Sequence, residues 1–145
     1  MTVHKLAQGT RSASILSLGT LPASTYIASA AQDLGAVMPL DKTIEVEADA
    51  NGTPADRKQL SVFAKLSLDG TNWTTGPESG TSATEEADLH FVGALPMNDT
   101  NVHRRHFSLR GLPSARHLKI VVRNEIGIAL TSGEVYWADV TGDST

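Results

Sequence analysis

Short runs in which apolar and polar residues alternate are the feature that most constrains the fold of this chain. Apolar and acidic side chains alternate over 43–48, and a second alternating run over 60–69 ends at the turn dipeptide Asp69-Gly70. A period of two buries one face of a β-strand and leaves the other face in solvent. Because no window of about 11 residues shows the helical period, both runs predict strands.

Four further runs predict strands for the same reason. They centre on residues 89–95, 107–109, 118–123 and 135–140. Clusters rich in Gly, Pro, Asn and Ser separate the runs, as is typical of turns. Short strands with such punctuation predict an all-β fold, and we expect an antiparallel β-sandwich of the jelly-roll or immunoglobulin-like type.

The first 40 residues have a different texture, rich in Ala, Ser, Thr and Leu and without a clean apolar period. Gly and Pro residues interrupt any long helix there. We expect residues 1–40 to form an extended arm with one or two short strands and residues 41–145 to form the sandwich domain. Such an arm buries its apolar residues only along its own domain or along a neighbour's. The arm residues predicted to lie in an interface are Ile15, Leu16 and Leu18.

Composition excludes several classes of protein. The chain of 145 residues has a formal net charge of −4, with 40% hydrophobic and 19% charged residues, which argues against a disordered tail or a basic nucleic-acid arm. Without cysteine it has no disulfide, thiolate metal site or cysteine nucleophile. No apolar run approaches the roughly 18 residues of a membrane span, and the first residues lack a signal-peptide core. We therefore expect one soluble domain without a membrane partner.

Charge is divided into two blocks along the chain. Six acidic residues and no Lys or Arg lie between Asp69 and Asp99, whereas six basic residues and no Asp or Glu lie between His103 and Arg123. The blocks either cancel between neighbouring strands of one sheet or form complementary surfaces that orient a partner. DNA is disfavoured as a partner, because the acidic block would repel phosphates. The basic residues predicted to lie in an interface are Arg104, Arg105, Arg110 and Arg116.

No constellation of residues predicts catalysis or a cofactor. The pair His103 and His106 brackets two arginines, whose charge disfavours a bound cation. A calcium-like run over 47–52 has Lys58 where an EF-hand needs a bidentate glutamate. The sequence contains no glycine-rich phosphate loop and no Gly-x-Ser-x-Gly motif. We therefore predict a protein that is not an enzyme, with no catalytic residue, cofactor or metal.

Trp73 is the aromatic residue with two competing interpretations. It follows the turn at 69–72, where a tryptophan either anchors the turn or stands exposed as a platform for a sugar. In the second case, the polar loop over 75–84 would contribute to a carbohydrate- or receptor-binding module.

Several segments carry a family resemblance. They are 44–47 with the loop 51–54, 63–73, 75–81 and 119–130, and the most specific is the Ser-x-Asp-Gly-x-Asn-aromatic turn within 63–73. Over about residues 25–140 the chain resembles small bacteriophage virion proteins that are encoded among head and tail genes. The resemblance implies a β-sandwich structural component of a tailed-phage particle.

From this resemblance we hypothesise a capsid decoration (cement) protein. It would bind the major capsid protein or other virion proteins, self-associate as a homo-oligomer, and join particles assembled in the host bacterial cytoplasm. Bridging would use the N-terminal arm and the four arginines. One alternative is a tail, connector or baseplate component. The other is the carbohydrate- or receptor-binding sandwich module that would use Trp73.

Overall fold

The computed structural model describes residues 4–144, with side chains for 5–142, and its regular elements are ten strands and one short 3-10 helix. Residues 1–3 of the predicted arm and residue 145 of the predicted domain lie outside the described residues. The strands are β1 (His4–Gln8), β2 (Leu16–Ser17), β3 (Tyr26–Ala28), β4 (Gln32–Asp33), β5 (Asp41–Ala50), β6 (Gln59–Ser67), β7 (His90–Pro96), β8 (His103–Ser108), β9 (His117–Asn124) and β10 (Leu130–Ser144). The 3-10 helix is Glu86–Asp88. No described helix has the length and hydropathy needed to cross a membrane.

The strands form two antiparallel sheets that pack face to face. Sheet A has the order β1-β10-β5-β8, and β2 also pairs with β10. Sheet B has the order β3-β9-β6-β7, and β4 also pairs with β9. The prediction of an all-β antiparallel sandwich is confirmed, and each predicted run between 43 and 140 lies on or beside one of the strands β5 to β10.

The main core lies between the two sheets. Alternate residues of β5 are buried there, with Ile44 and Val46 fully enclosed, as the period of two predicts. Burial of each such side chain contributes roughly 1.5–3 kcal/mol. The other central strands contribute to this core Leu60, Val62, Leu118, Ile120 and Val122 from sheet B and Val135 and Trp137 from β10 of sheet A.

Strand β6 departs from the predicted pattern because both of its faces are buried. Residues 75–89, which we call the strap, fold across the outer face of sheet B. Phe63 packs there in a second apolar cluster with Tyr26, Leu89 and Val121. In β6, one set of alternate residues therefore lies in the main core. The other set lies in a smaller layer beneath the strap instead of in solvent.

The arm contributes edge strands to both sheets of its own chain. Strands β1 and β2 extend sheet A, and β3 and β4 extend sheet B, so four short strands replace the one or two that we predicted. Between β1 and β2 the arm stays beside β10 through hydrogen bonds from the amides of Gly9, Ser12 and Ile15. Of the two alternatives for burying its apolar residues, the structure therefore has the arm lying along its own domain.

The approach of β7 to β8 at the corner between the sheets generates a stability prediction. A Cβ added at Gly93 would lie 2.4 Å from Cδ1 of Phe107, a core residue of β8. We expect Gly93→Ala to lower the free energy of unfolding by about 1–3 kcal/mol, the usual cost of overpacking. Gly9→Ala is the control, because its added Cβ meets its nearest atoms at 3.5 Å. Urea unfolding would measure both, and equal loss in the two variants would contradict the close approach.

Candidate interaction site at one end of the sandwich

Two loops meet at one end of the sandwich, residues 34–40 between β4 and β5 and residues 109–116 between β8 and β9. Arg116 joins them: its Nε donates to Asp33 Oδ1 at 2.7 Å and its terminal nitrogen donates to Asp33 Oδ2 at 3.0 Å. The Leu34 amide also donates to the Arg116 carbonyl at 2.8 Å. The guanidinium of Arg116, with the amide of Gly35, holds the pKa of Asp33 well below its usual range. These contacts fix the mouth of the space between the loops.

That space is a cavity of about 280 Å³, lined by apolar residues and by the polar or charged residues Asp41, Lys42, Arg110 and Ser114. Its rim carries Asp41 and Arg110, whose Oδ2 and Nε atoms lie 3.6 Å apart. Asp41 also accepts hydrogen bonds from the Ser108 hydroxyl and the Leu109 amide. The apolar residues that line the cavity include Leu34, Met38, Leu66, Leu109, Leu112 and Leu118. The charged residues of the lining are paired within the chain, Lys42 with Asp139 and Arg110 with Asp41, so the apolar part of the lining is what the cavity offers to a partner.

Exposed apolar side chains lie beside the cavity. Val37 is 93% exposed, Leu40 is 58% exposed and Met38 is 39% exposed. A group of large apolar residues in water around a cavity is typical of an interaction surface. We call Val37, Met38, Leu40 and the cavity the apolar end. These residues were not among those predicted to lie in an interface, although a run of apolar residues around Pro39, outside any alternating strand, was an available signal.

Trp73 forms an isolated β-bridge with Ser67 across its turn and lines a second cavity of about 350 Å³. Asp69 organises the turn by accepting hydrogen bonds from the amides of Thr71 and Asn72, and these bonds lower the pKa of Asp69. Lys119 Nζ lies 4.6 Å from the centre of the Trp73 ring. The second cavity shares Leu66 and residues 113–115 with the first. Both roles proposed for Trp73 from the sequence are therefore compatible with its position.

The four arginines predicted to lie in an interface are already engaged within the chain. Arg104 stands directly opposite Glu47 in the register of β5 and β8. Their partners are Glu45 and Glu47 for Arg104, the Ala94 carbonyl for Arg105, Asp41 for Arg110 and Asp33 for Arg116. The side chains remain partly exposed, but a partner would meet ion pairs at Arg104, Arg110 and Arg116, and at Arg105 a positive charge that is bonded only to a carbonyl.

The three arm residues predicted to lie in an interface contact the chain's own core. Leu16 is 7% exposed and Leu18 is 1% exposed, and Ile15 packs against the same core while half-buried. In this arrangement none of them presents a large apolar surface to a neighbour. A contact between Leu16 or Leu18 and a neighbouring copy would require the arm to leave its own sheets.

The acidic and basic blocks cancel in part beneath the strap. Glu78 accepts hydrogen bonds from Lys65 Nζ at 3.0 Å and from Lys119 Nζ at 2.9 Å. Further along the strap, Glu86 accepts one from Arg123 at 2.6 Å. Arg104 and Arg110 pair with acids of β5 and Arg116 pairs with Asp33 of the arm, whereas Arg105 bonds only to a backbone carbonyl. The structure therefore favours internal cancellation over complementary outer surfaces, although most partners lie outside the acidic block.

The Glu78 ion pairs generate a prediction for Glu78→Gln. Burial raises the pKa of Glu78, but hydrogen bonds from Lys119 and Lys65 outweigh burial and leave it below its ordinary value. The variant leaves the Lys65 ammonium, whose side chain is 7% exposed, without its carboxylate partner. We expect a loss of about 1–2 kcal/mol in the free energy of unfolding near neutral pH. This loss is smaller than for a fully enclosed pair, because the Glu78 side chain is 38% exposed.

The pH dependence of that loss follows from the lowered pKa. The stabilisation by Glu78 is fully present above the ordinary glutamate pKa of about 4.3 and disappears as the pH falls through the lower pKa of the folded chain. The difference between wild type and Glu78→Gln should therefore narrow below about pH 4.3. Glu85→Gln is the control, because Glu85 is an exposed strap residue with no ion pair in the described structure. Urea unfolding at several pH values measures both, and a pH-independent difference would contradict the assignment.

Comparison with known proteins adds no relative: no family model matches the sequence, and no curated protein is similar to it. Among the described residues, no three His, Asp or Glu side chains are grouped in a way that could hold a metal ion. The chemistry of the apolar end therefore follows from its own residues. It can enclose apolar groups of a partner while its charged rim stays neutral overall.

Proposed function

We propose that this chain is a non-enzymatic structural protein of a bacteriophage particle, and that it decorates the outer surface of the head. The observation that carries the proposal is the apolar end, where the exposed side chains of Val37, Met38 and Leu40 lie at or beside a partly apolar cavity. Exposed apolar surface of this kind favours a permanent protein partner, because leaving it in water costs free energy. The resemblance to virion proteins supplies the identity of the partner as the major capsid protein.

The dimensions of the cavity support a protein partner over a small molecule. At about 280 Å³ it lies at the lower limit of the roughly 300–1,000 Å³ that is typical of ligand pockets. A single apolar side chain from a neighbouring protein fits such a space. Contacts of this size are weak one by one, but a shell repeats them many times, and repeated contacts bind far more tightly together.

A cysteine-free chain suits assembly in the reducing cytoplasm of a bacterial host, because its stability does not depend on disulfides. Its internally paired charges suit a passive role that stabilises a shell mechanically. A tail, connector or baseplate position would use the same apolar end on a different virion protein. Gold-labelled antibody against this chain on intact particles separates these positions: label over the head supports decoration, and label on the tail overturns it.

The apolar end generates a direct test of the docking role. We expect the double variant Val37→Asp/Leu40→Asp to lose at least about tenfold in affinity for heads assembled without this chain, because two carboxylates would be buried in an apolar contact. The residues are exposed, so folding is unaffected. Val102→Asp is the matched control, since Val102 is 60% exposed at the start of β8, at the opposite end of the sandwich. Co-sedimentation with heads measures binding, and equal binding of the two variants would contradict the proposal.

A second candidate function rests on the cavity beside Trp73. Asn72 and His90 line it together with the indole, a combination of an aromatic face and polar groups that suits a sugar. In this case the chain would be a carbohydrate- or receptor-binding module. The strap does not favour this function, because Glu78 and Glu86 are committed to ion pairs with sheet B.

Tryptophan fluorescence tests this second function. A host-surface glycan that binds at the cavity should quench the fluorescence of the wild-type chain. Trp73→Ala should remove the response, and Trp73→Phe, which keeps an aromatic ring to anchor the turn, should retain binding in a competition assay. No quenching by any glycan of the host surface would reject the module.

A further inference from the structure

Strand β10 extends beyond its central partner and leaves a two-stranded ribbon. The last pair between β5 and β10 joins Asp41 with Val140, whereas β1 pairs with residues 140–144. Among the described strands, only β1 therefore accompanies β10 over its final four residues. At about 3.4 Å per residue these residues extend roughly 14 Å past the end of β5. We call residues 4–8 and 140–144 the ribbon.

The ribbon buries little of its own surface. Residues 5–8 are all exposed, and Leu6 is 64% exposed. On the neighbouring strand Thr141 and Gly142 are exposed as well. A two-stranded antiparallel ribbon is at best marginally stable in water, and an unpaired strand edge is a template for another strand. Among the described strands, β1 therefore has a partner on one edge only, which is β10.

Strand β8 and the part of the arm after β1, which form the other edges of sheet A beside its core, are protected in ways that β1 is not. Strand β8 carries Arg104 and Arg105, and the Arg105 side chain also bonds to the Ala94 carbonyl of β7. The part of the arm that follows β1 runs irregularly along β10, with hydrogen bonds only at every third residue. Charges and irregular pairing are the usual means of blocking an edge. Strand β1 is regular over five residues and contains one Lys and no Asp, Glu, Arg or Pro.

The sequence of β1 is complementary to itself in the antiparallel direction. With Leu6 at the centre, Leu6 faces Leu6 of a second copy, Lys5 faces Ala7, and the first residue of the strand faces Gln8. No two lysines stand directly opposite each other, and an apolar pair replaces two exposed leucines. All five residues are paired in this register.

We propose that two copies of this chain associate about a two-fold axis at Leu6 by antiparallel pairing of their β1 strands. The contact is isologous, so the same strand supplies both sides of it. It joins the two copies of sheet A into one continuous sheet and pairs the open edge of each ribbon. The proposal does not rest on the proposed function, because it concerns the purified chain in solution.

The oligomeric state of the purified chain tests the proposal. We expect a dimer by sedimentation velocity at micromolar concentration. Leu6→Lys should raise the dimer dissociation constant at least about tenfold, because two ammonium groups would meet at the axis. Val102→Lys is the matched control at 60% exposure and should leave the dimer unchanged. A wild-type chain that stays monomeric up to about 0.1 mM, or a dimer equally weakened by both variants, overturns the proposal.

Cysteine cross-linking tests the register. The chain contains no cysteine, so Leu6→Cys introduces one thiol per copy. Facing residues of antiparallel strands have Cα atoms about 4.5 or 5.5 Å apart, within the range that a disulfide spans. Mild oxidation should convert Leu6→Cys, but not Val102→Cys, into a covalent dimer. If the wild-type chain is a dimer but Leu6→Cys does not cross-link, the contact lies elsewhere and the proposal is rejected. Cross-linking of Leu6→Cys to a different protein in assembled particles would reject it as well.

Discussion

The pairing of β10 with its neighbours is the constraint on which the rest of the structure depends. Strand β10 has 15 residues and pairs with β5 along one edge and with β1 and β2 along the other. Its register with β5 places Val135 opposite Val46 and Trp137 opposite Ile44, so the same alignment that satisfies the backbone also fills the core. A slip of one residue would turn these side chains to solvent. The arm follows β10 because that edge is the one that remains open beside the core.

Sheet B solves a different problem, since its central strand β6 is buried on both faces. The strap covers the outer face, and its carboxylates pair with Lys65, Lys119 and Arg123, of which Arg123 also pairs with Glu125. A buried cation without a carboxylate costs several kcal/mol, whereas a paired one is tolerated. The separation of acidic and basic residues along the sequence is thus partly a consequence of one loop folding onto one sheet.

The strands could be predicted because their signal is local: an alternating run such as 43–48 specifies a strand wherever it lies. The role of Leu16 and Leu18 could not be predicted, because the same sequence is compatible with burial against the chain's own core and with burial against a neighbour. The partners of the arginines could not be predicted either. Arg104 and Glu47 are 57 residues apart in sequence, and only the register of β5 and β8 brings them together. Val37 and Leu40 were missed because a loop residue has no period, and only the fold shows whether its side chain is covered.

The apolar end and the ribbon lie side by side, and this proximity links the two proposals physically. A Cβ added at Gly142 of the ribbon would lie 3.7 Å from the Leu40 side chain of the apolar end. Pairing of two ribbons would therefore hold two apolar ends near one axis. If the surface of the binding partner repeats the same site around its own two-fold axes, the dimer would bind it at two sites. The second contact would then form at a high effective concentration. In such an arrangement, weak apolar contacts are sufficient for stable binding. A single copy of the chain therefore needs neither a large cavity nor a free charged patch.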